Sequence, residues 1–382
     1  MGSAFYAALA QVEVVEAREA VGQAIVSCLS QLAGRPAGAI LLFAGMDLDH
    51  QGLLDGIHAQ WPGVPLIGCT TDGEFSSLGG YTEDSFLLIV LGSESTTFCS
   101  TCLDLAQPLA PQCIRFREAN PETDPRMGIL LADGLSYAGE EALQALQGAF
   151  GESLPWFGGA SADRWVFRGN LQFHGARVLT GSAVCLLLGG SFRFGFAVDS
   201  GWKPIGRTGV VTRAERNIVH EIDGKPALAF YRELMGDGAL PFIDTPTAVY
   251  DPCDSYLFLR TSIHPLEPGI DSIRYSARVP QGFRVRVTLV DRDGIVEAVQ
   301  RSVRRAKGMF GEGAPVLALC FSCAVRRVIL GTRTIHECQT ACSNLGAGVL
   351  VGGPYLYGEI SPAEAGAPSL YHNESFVTLL LG

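Results

Sequence analysis

No apolar run in the 382-residue chain approaches the roughly 20 residues that a helix needs to cross a bilayer. Membrane insertion by a helix is therefore not expected. The first basic residue is Arg18 and the apolar stretch at 5–10 is short, so no secretory leader is expected either. Tyr6 stands where N-myristoylation needs Ser or Thr. Charge is scarce, at 18% of residues, and its balance is -11 with a pI near 5.1. A nucleic-acid partner is excluded on that ground, because phosphate binding needs a dense Lys/Arg field. A Walker loop, a G-x-S-x-G elbow and an H-E-x-x-H helix are all missing. Cysteine is present in an odd number, 11, without framework spacing. Cys185 and Cys320 lie inside apolar runs, as buried thiols do. A reducing, cytoplasmic setting is the expectation.

Hydrophobic residues make up 47% of the chain, enough for a large core over a length that favours two domains. The main signal is an internal repeat. Gly68-Cys-Thr-Thr-Asp-Gly73-Glu74-Phe75-Ser76 and Gly353-Pro-Tyr-Leu-Tyr-Gly358-Glu359-Ile360-Ser361 share the pattern G-x4-G-E-[FI]-S. Each precedes an apolar run, Ser85 to Gly92 and Ser375 to Gly382. A weaker copy reads Gly158-Gly159-Ala-Ser161-Ala-Asp163, followed by Ser182 to Gly189; Asp163 replaces the second glycine and no Glu follows it. Upstream of the turns lie apolar runs at 39–44, 128–132 and 316–321, then helix-like stretches at 53–61, 139–150 and 334–345. The unit is strand, helix, strand, glycine turn, strand. A strand–helix–strand crossover gives a parallel pair, and the strand after the turn runs back. The expected fold class is α/β: mixed sheets flanked by helices.

Outside the repeats, residues 1–36 read as an Ala-rich helix that stops at Gly34-Arg35-Pro36. Residues 96–126 read as a strand and a proline-rich connection, and 192–212 as strands around Gly201-Trp202. A helix is expected at 227–234, strands at 256–261 and 282–289, and a basic amphipathic helix at 295–309. The Gly/Pro breaks in 236–247 place a domain boundary there. The chain divides into a helical segment 1–36 and domains 37–240 and 241–382.

With these motifs in order, the chain resembles the FIST family, with a FIST N and a FIST C domain. The resemblance rests on Leu66-Ile-Gly-Cys-Thr-Thr-Asp-Gly-Glu74, Phe157-Gly-Gly-Ala-Ser161, Gly201-Trp-Lys-Pro-Ile-Gly206, Val211-Thr212, Asn217 and Asp223-Gly-Lys-Pro-Ala227. In the C-terminal part it rests on Ser322-Cys-Ala-Val-Arg326, Gly331, Tyr357-Gly-Glu359 and His372-Asn373. The resemblance implies a bacterial intracellular sensory module for small ligands such as amino acids. A subgroup is described as haem proteins that sense nitric oxide, which makes haem an alternative cofactor and a histidine kinase or cyclic-dinucleotide enzyme an alternative client. No output domain fits in this chain, so a separate signalling partner (a kinase, a chemoreceptor or a cyclic-dinucleotide enzyme) is implied.

Ligands of α/β sheets bind at the carboxyl ends of strands. That edge carries Gly45, Asp47, Asp133, Gly134, Cys323, Arg326 and Arg327. A guanidinium at a strand end suits a carboxylate or phosphate, and Glu359 suits an ammonium, so Arg326 and Glu359 together would hold a zwitterion; a structural Arg–Glu bridge is the competing reading. The expected ligand-binding set is Cys69, Thr70, Thr71, Gly73, Glu74, Gly159, Ser161, Cys323, Arg326, Tyr357, Gly358, Glu359, His372 and Asn373. The expected site is one hollow shared by the glycine turns of both halves. His372 is read chiefly as a hydrogen-bonding residue, with ligand contact or haem ligation as alternatives. A zinc site at Cys320, Cys323, Cys338 and Cys342 is disfavoured, because Cys320 sits in a strand and the last pair suits helix burial. Glu74 and Glu359 could form an acid/base pair, but nothing else fixes a reaction. A binding protein is expected rather than an enzyme.

Overall fold

Each apolar run bounded by glycine is a strand in the computed structural model, which describes residues 5–14, 16–263 and 271–382. Three units of one topology emerge. The first runs β1 (Tyr6–Glu13), α1 (Ala17–Leu32), β2 (Ala39–Gly45), α2 (His50–Gln60), β3 (Leu66–Thr71), a hairpin of β4 (Glu74–Ser76) and β5 (Gly80–Thr82), then β6 (Ser85–Gly92). The second runs β7 (Thr96–Asp104), α3 (Leu109–Glu118), β8 (Pro125–Ala132), α4 (Gly139–Phe150), β9 (Trp156–Ala160), the hairpin β10 (Gln172–His174) and β11 (Arg177–Leu179), then β12 (Ser182–Gly190). The third starts with β13 (Phe194–Asp199) and is interrupted by β14 (Lys203–Pro204), β15 (Gly209–Glu215), β16 (Ile218–Ile222), β17 (Lys225–Pro226), α5 (Ala227–Met235), β18 (Thr247–Tyr250), β19 (Tyr256–Arg260), β20 (Ile273–Arg274) and β21 (Arg284–Leu289). It resumes with α6 (Arg292–Phe310), β22 (Leu317–Cys323), α7 (Ala324–Leu330), α8 (Ile335–Leu345), β23 (Leu350–Leu356), the hairpin β24 (Glu359–Pro362) and β25 (Ser369–His372), and β26 (Phe376–Leu381).

In every unit the two strands before the glycine turn are parallel, β2 with β3, β8 with β9 and β22 with β23. The strand after the hairpin returns antiparallel. The hairpins do not stay at home. β4 adds to β23, β10 adds to β3, and β24 adds to β9. Each unit lends its hairpin to another, and the exchange closes into a ring of three six-stranded sheets. The strands between β13 and α6 build a fourth sheet. The inner faces of the three sheets meet in one apolar core that includes Phe43, Ile129, Phe157, Phe321 and Leu379. Helices cover the outer faces over separate cores.

The first glycine of each turn is required by close approach. A Cβ on Gly68, Gly158 or Gly353 would stand 2.0, 2.0 and 1.6 Å from the carbonyl oxygens of Leu42, Leu130 and Cys320 on the parallel neighbour. The second glycine is required by conformation, with φ of 108° at Gly73.

Three expectations differ from this architecture. Within the segment 1–36 the described residues form a strand and then a helix: β1 pairs along its whole length with β6, and that pairing overrides the helix preference of its alanines. The boundary expected at 240 falls inside the fourth sheet, where β15 pairs with β21 and β16 with β20 across it. The proline-rich connection at 96–126 also contains a helix, α3, which opens after Pro108 and bears Pro111 in its first turn.

Candidate functional site

The glycine turns meet at the carboxyl ends of the parallel strands, joined through backbone. Asp72 N–H donates to the Tyr355 carbonyl and Tyr355 N–H to that of Gly73, both at 2.9 Å. Tyr357 and Ala160 tie the third turn to the second, and Ala162 and Leu171 tie the second to Thr70. Under this ring the space between the sheets holds Cys69, Phe157, Phe321 and Leu356. The shared hollow expected between Gly73–Glu74 and Gly358–Glu359 is therefore not built; hydrocarbon fills that space.

Each turn instead folds its polar residue into a corner of its own. Glu74 accepts from Thr71 and, at 2.5 Å, from Ser85. Glu359 accepts from the Ser375 hydroxyl at 2.8 Å and the Ser375 N–H at 3.1 Å. In the second unit Gln172 takes this place: Phe173 pairs with Gly68 as Phe75 pairs with Gly353 and Ile360 with Gly158. Its Nε2 donates to Ser161 at 2.7 Å, and its Oε1 accepts from Ser182 N–H. The missing Glu is thus a Gln displaced by the loop after Asp163. Its signal in the sequence is the Gln-Phe pair 10 residues before Ser182, against 11 residues from Glu74 to Ser85.

Three residues beyond the first glycine stand Thr71, Ser161 and Leu356. Leu356 offers no hydroxyl, and Glu359 Oε1 is buried without a hydrogen-bond partner. Burial pushes both Glu74 and Glu359 up to about 8, and the serine hydrogen bonds offset only part of that rise.

Arg326 is fully buried and fully used. It grips Glu337 through Nε and Nη2 at 2.9 and 2.7 Å, and donates to the carbonyls of Ser200 and Ile295 at 2.5 and 3.0 Å. The structural bridge exists, with Glu337 as its acid in place of Glu359. Arg327 faces the ring instead, pairing with buried Asp72 at 2.8 Å and with Glu83 at 2.9 Å. Trp165 Nε1 donates to the same Asp72 oxygen, and Tyr357 donates to Asp163. Arg164, Trp165 and Phe167 all hold left-handed backbone in this loop, a strained arrangement that stacks Phe167 on Tyr357.

His372 and Asn373 lie elsewhere, in the wall of a hollow of about 210 Å³ between the fourth sheet and the third unit. Asp199 and Ser200 at the end of β13, Tyr256 at the start of β19, Arg305 of α6 and Ser375 complete most of it. Asp199 is engaged by Arg301 in a two-pronged pair, both contacts 2.9 Å. Arg305 spends one N–H on the Val198 carbonyl. Asn373 Oδ1 accepts from Ser276 at 2.6 Å, and its amide nitrogen makes no hydrogen bond among the described residues. His372 Nε2 meets the Ser361 carbonyl at 2.9 Å, and burial lowers its pKa to about 4, so the ring is neutral. Ser375 links this hollow to Glu359. Glu374, between Asn373 and Ser375, is buried with left-handed backbone and has one oxygen on Thr261 and the other unpartnered.

Family models match almost the whole of this arrangement: FIST N domain over residues 38–225 and FIST C domain over 227–362. The chain belongs to the FIST family. FIST domains are in general small-ligand sensory domains of signalling proteins. The seam between the two matches falls inside the fourth sheet. An uncharacterised protein of Methanocaldococcus jannaschii is 26% identical over 215 residues, 53% of this chain and 42% of that protein's length. An uncharacterised protein of Mycobacterium tuberculosis is 25% identical over 362 residues, 91% of this chain and 92% of that protein. Two solved structures of cyanuric acid hydrolase, one from A. caulinodans, align over 99% of the chain with TM-scores of 0.35 and 0.36 and identities of 10% and 11%, levels that bear on neither fold nor activity.

The haem alternative that the sequence resemblance implied sets a fit test. The hollow at His372 is smaller than the roughly 300–1,000 Å³ of pockets for drug-sized ligands, and a porphyrin is larger than most of those. His372 Nε2 is already bonded to Ser361. These residues do not fit a haem. Among the described residues no group of three or more His, Cys, Asp or Glu is placed to hold a metal ion. No described helix is long and apolar enough to cross a membrane.

Proposed function

We propose that this FIST protein binds a small zwitterionic metabolite, an amino acid being the simplest, in the hollow between the fourth sheet and the third unit, and reports it to a separate signalling partner without turning it over. The observation that carries this reading is the hollow itself, with its donors and acceptors on different walls. Arg305 and the Asn373 amide offer N–H groups to a carboxylate. Asp199 at the end of β13, already engaged by Arg301, offers a carboxylate to an ammonium. The carboxylate-gripping role expected of Arg326 passes to Arg305. The walls belong to two bodies, so a ligand that touches both favours one relative placement, a population shift that a partner can read.

The test is a thermal-shift screen with amino acids, nucleotides, small acids and haem. An amino acid should raise the melting temperature with concentration. Arg305→Ala should weaken that response, and Ala363→Phe, which fills the hollow from its wall, should abolish it. A screen without an amino-acid hit, or an Ala363→Phe variant that responds like the parent, ends this reading.

A further inference from the structure

The opposite end of the molecule holds a larger cavity, of about 630 Å³. The parallel strands point their carboxyl ends at the glycine turns, so this cavity lies at their amino ends. A strand of seven residues separates the two ends by roughly 23 Å. All three units contribute to the cavity: Phe5 from before β1, Arg126 from the start of β8, Phe192 to Phe194 from the link into β13, and Phe310 from the end of α6.

Two guanidiniums are set here against aromatic rings. Arg126 lies 5.5 Å from the Phe192 ring and 5.8 Å from that of Phe194. Arg193 lies 4.7 Å from the Phe310 ring. Each spends one hydrogen bond on a backbone carbonyl, Arg126 on Phe192 and Arg193 on Glu312. Neither pairs with an Asp or Glu side chain among the described residues, a condition they share with Arg305. No Asp or Glu side chain lines the cavity; Gly382, which exchanges backbone hydrogen bonds with Arg193, also lies in its wall. Stacking fixes the plane of a guanidinium and leaves its remaining N–H groups in a preset fork, the geometry that takes two oxygens of one anion. The rings of Phe192, Phe194 and Phe310 supply an apolar wall beside that fork. The cavity is within the size range of small-molecule sites.

We propose that this cavity is a second ligand site, for a small anion carrying an aromatic ring: the ring lies against Phe192, Phe194 and Phe310, and Arg126 with Arg193 grips a carboxylate or phosphate. The proposal is independent of the hollow at His372.

Isothermal titration with phenyl phosphate, benzoate and inorganic phosphate tests it on the full chain. At least one ring-bearing anion should bind with one site per chain. Arg126 and Arg193 are exposed, so the Arg126→Gln/Arg193→Gln variant should fold normally and lose at least tenfold in affinity. Arg126→Lys, which keeps the charge and loses the fork, should lose part of it. Inorganic phosphate should bind at least tenfold more weakly than phenyl phosphate, and the ratio of benzoate to phenyl phosphate tells which oxyanion is preferred. Binding of neither ring-bearing anion, or equal binding by the double variant, overturns the site. Inorganic phosphate bound as tightly as phenyl phosphate overturns the aromatic part of the assignment.

Discussion

One aliphatic side chain separates the third turn from its two relatives. Thr71 and Ser161 complete the hydrogen bonding of Glu74 and Gln172, while Leu356 leaves Glu359 Oε1 bare. The burial of the two acids has a pH dependence of definite sign. Both ionise near 4.5 in the unfolded chain and near 8 in the folded one. Their contribution to stability is full below pH 4.5 and is lost as pH rises to about 8, at about 1.4 kcal/mol per pH unit for each acid. His372 runs the other way, from about 4 to its ordinary value, so it adds stability as pH rises through that lower window. Between pH 6.5 and 8 the acids dominate. Glu359→Gln should flatten the fall in urea midpoint over that interval relative to the parent; an unchanged slope would mean that Glu359 is ionised in the fold. Arg326→Ala should cost about 3–5 kcal/mol, because it strands Glu337 as an unpaired buried charge. Urea unfolding measures this loss, and a cost below about 1 kcal/mol would show that the pair is not buried as described.

The strand–turn element carries its own requirement, met three times. Gly68, Gly158 and Gly353 sit where a methyl group would overlap a carbonyl of the adjacent parallel strand. Gly353→Ala should therefore forfeit cooperative folding, since both strands are buried and neither backbone can retreat. Gly148 is the control: it lies in α4, an added methyl there would meet nothing within 4 Å, and Gly148→Ala should stabilise by about 0.5–1 kcal/mol through helix preference. Thermal melts followed by far-UV circular dichroism compare the two, and a folded Gly353→Ala variant would refute the close-approach account. The repeat is readable in the sequence because this element recurs with its glycines in place. The first strand and helix of each unit are harder to see, since β1 resembles a helix in composition and α3 starts among prolines.

At the scale of the molecule the hairpin exchange makes the three units interdependent. β9 lacks its outer neighbour without β24, and β4 lacks its sheet without β23. A fragment ending at residue 240 should consequently remain largely unfolded. The full chain should unfold in one transition, with tryptophan fluorescence (Trp61, Trp156, Trp165 and Trp202) coincident with circular dichroism. Two separated transitions, or a fragment with a cooperative melt, would show that the halves are autonomous.

What the sequence determined alone is the repeated unit: the order of apolar strands, the parallel pair, the glycine turn and the returning strand follow from local periodicity and from the conformational demands of glycine. What only tertiary structure decided is where those pieces go. Hairpins that leave their own unit, a sheet inserted between β13 and α6, an arginine that meets Glu337 and not Glu359, and a hollow lined by residues from Val198 to Ser375 all depend on contacts distant in sequence. Local propensity is a property of neighbours along the chain. Partner choice between buried charges and strand edges is settled by which groups the whole core brings within a few ångströms of one another.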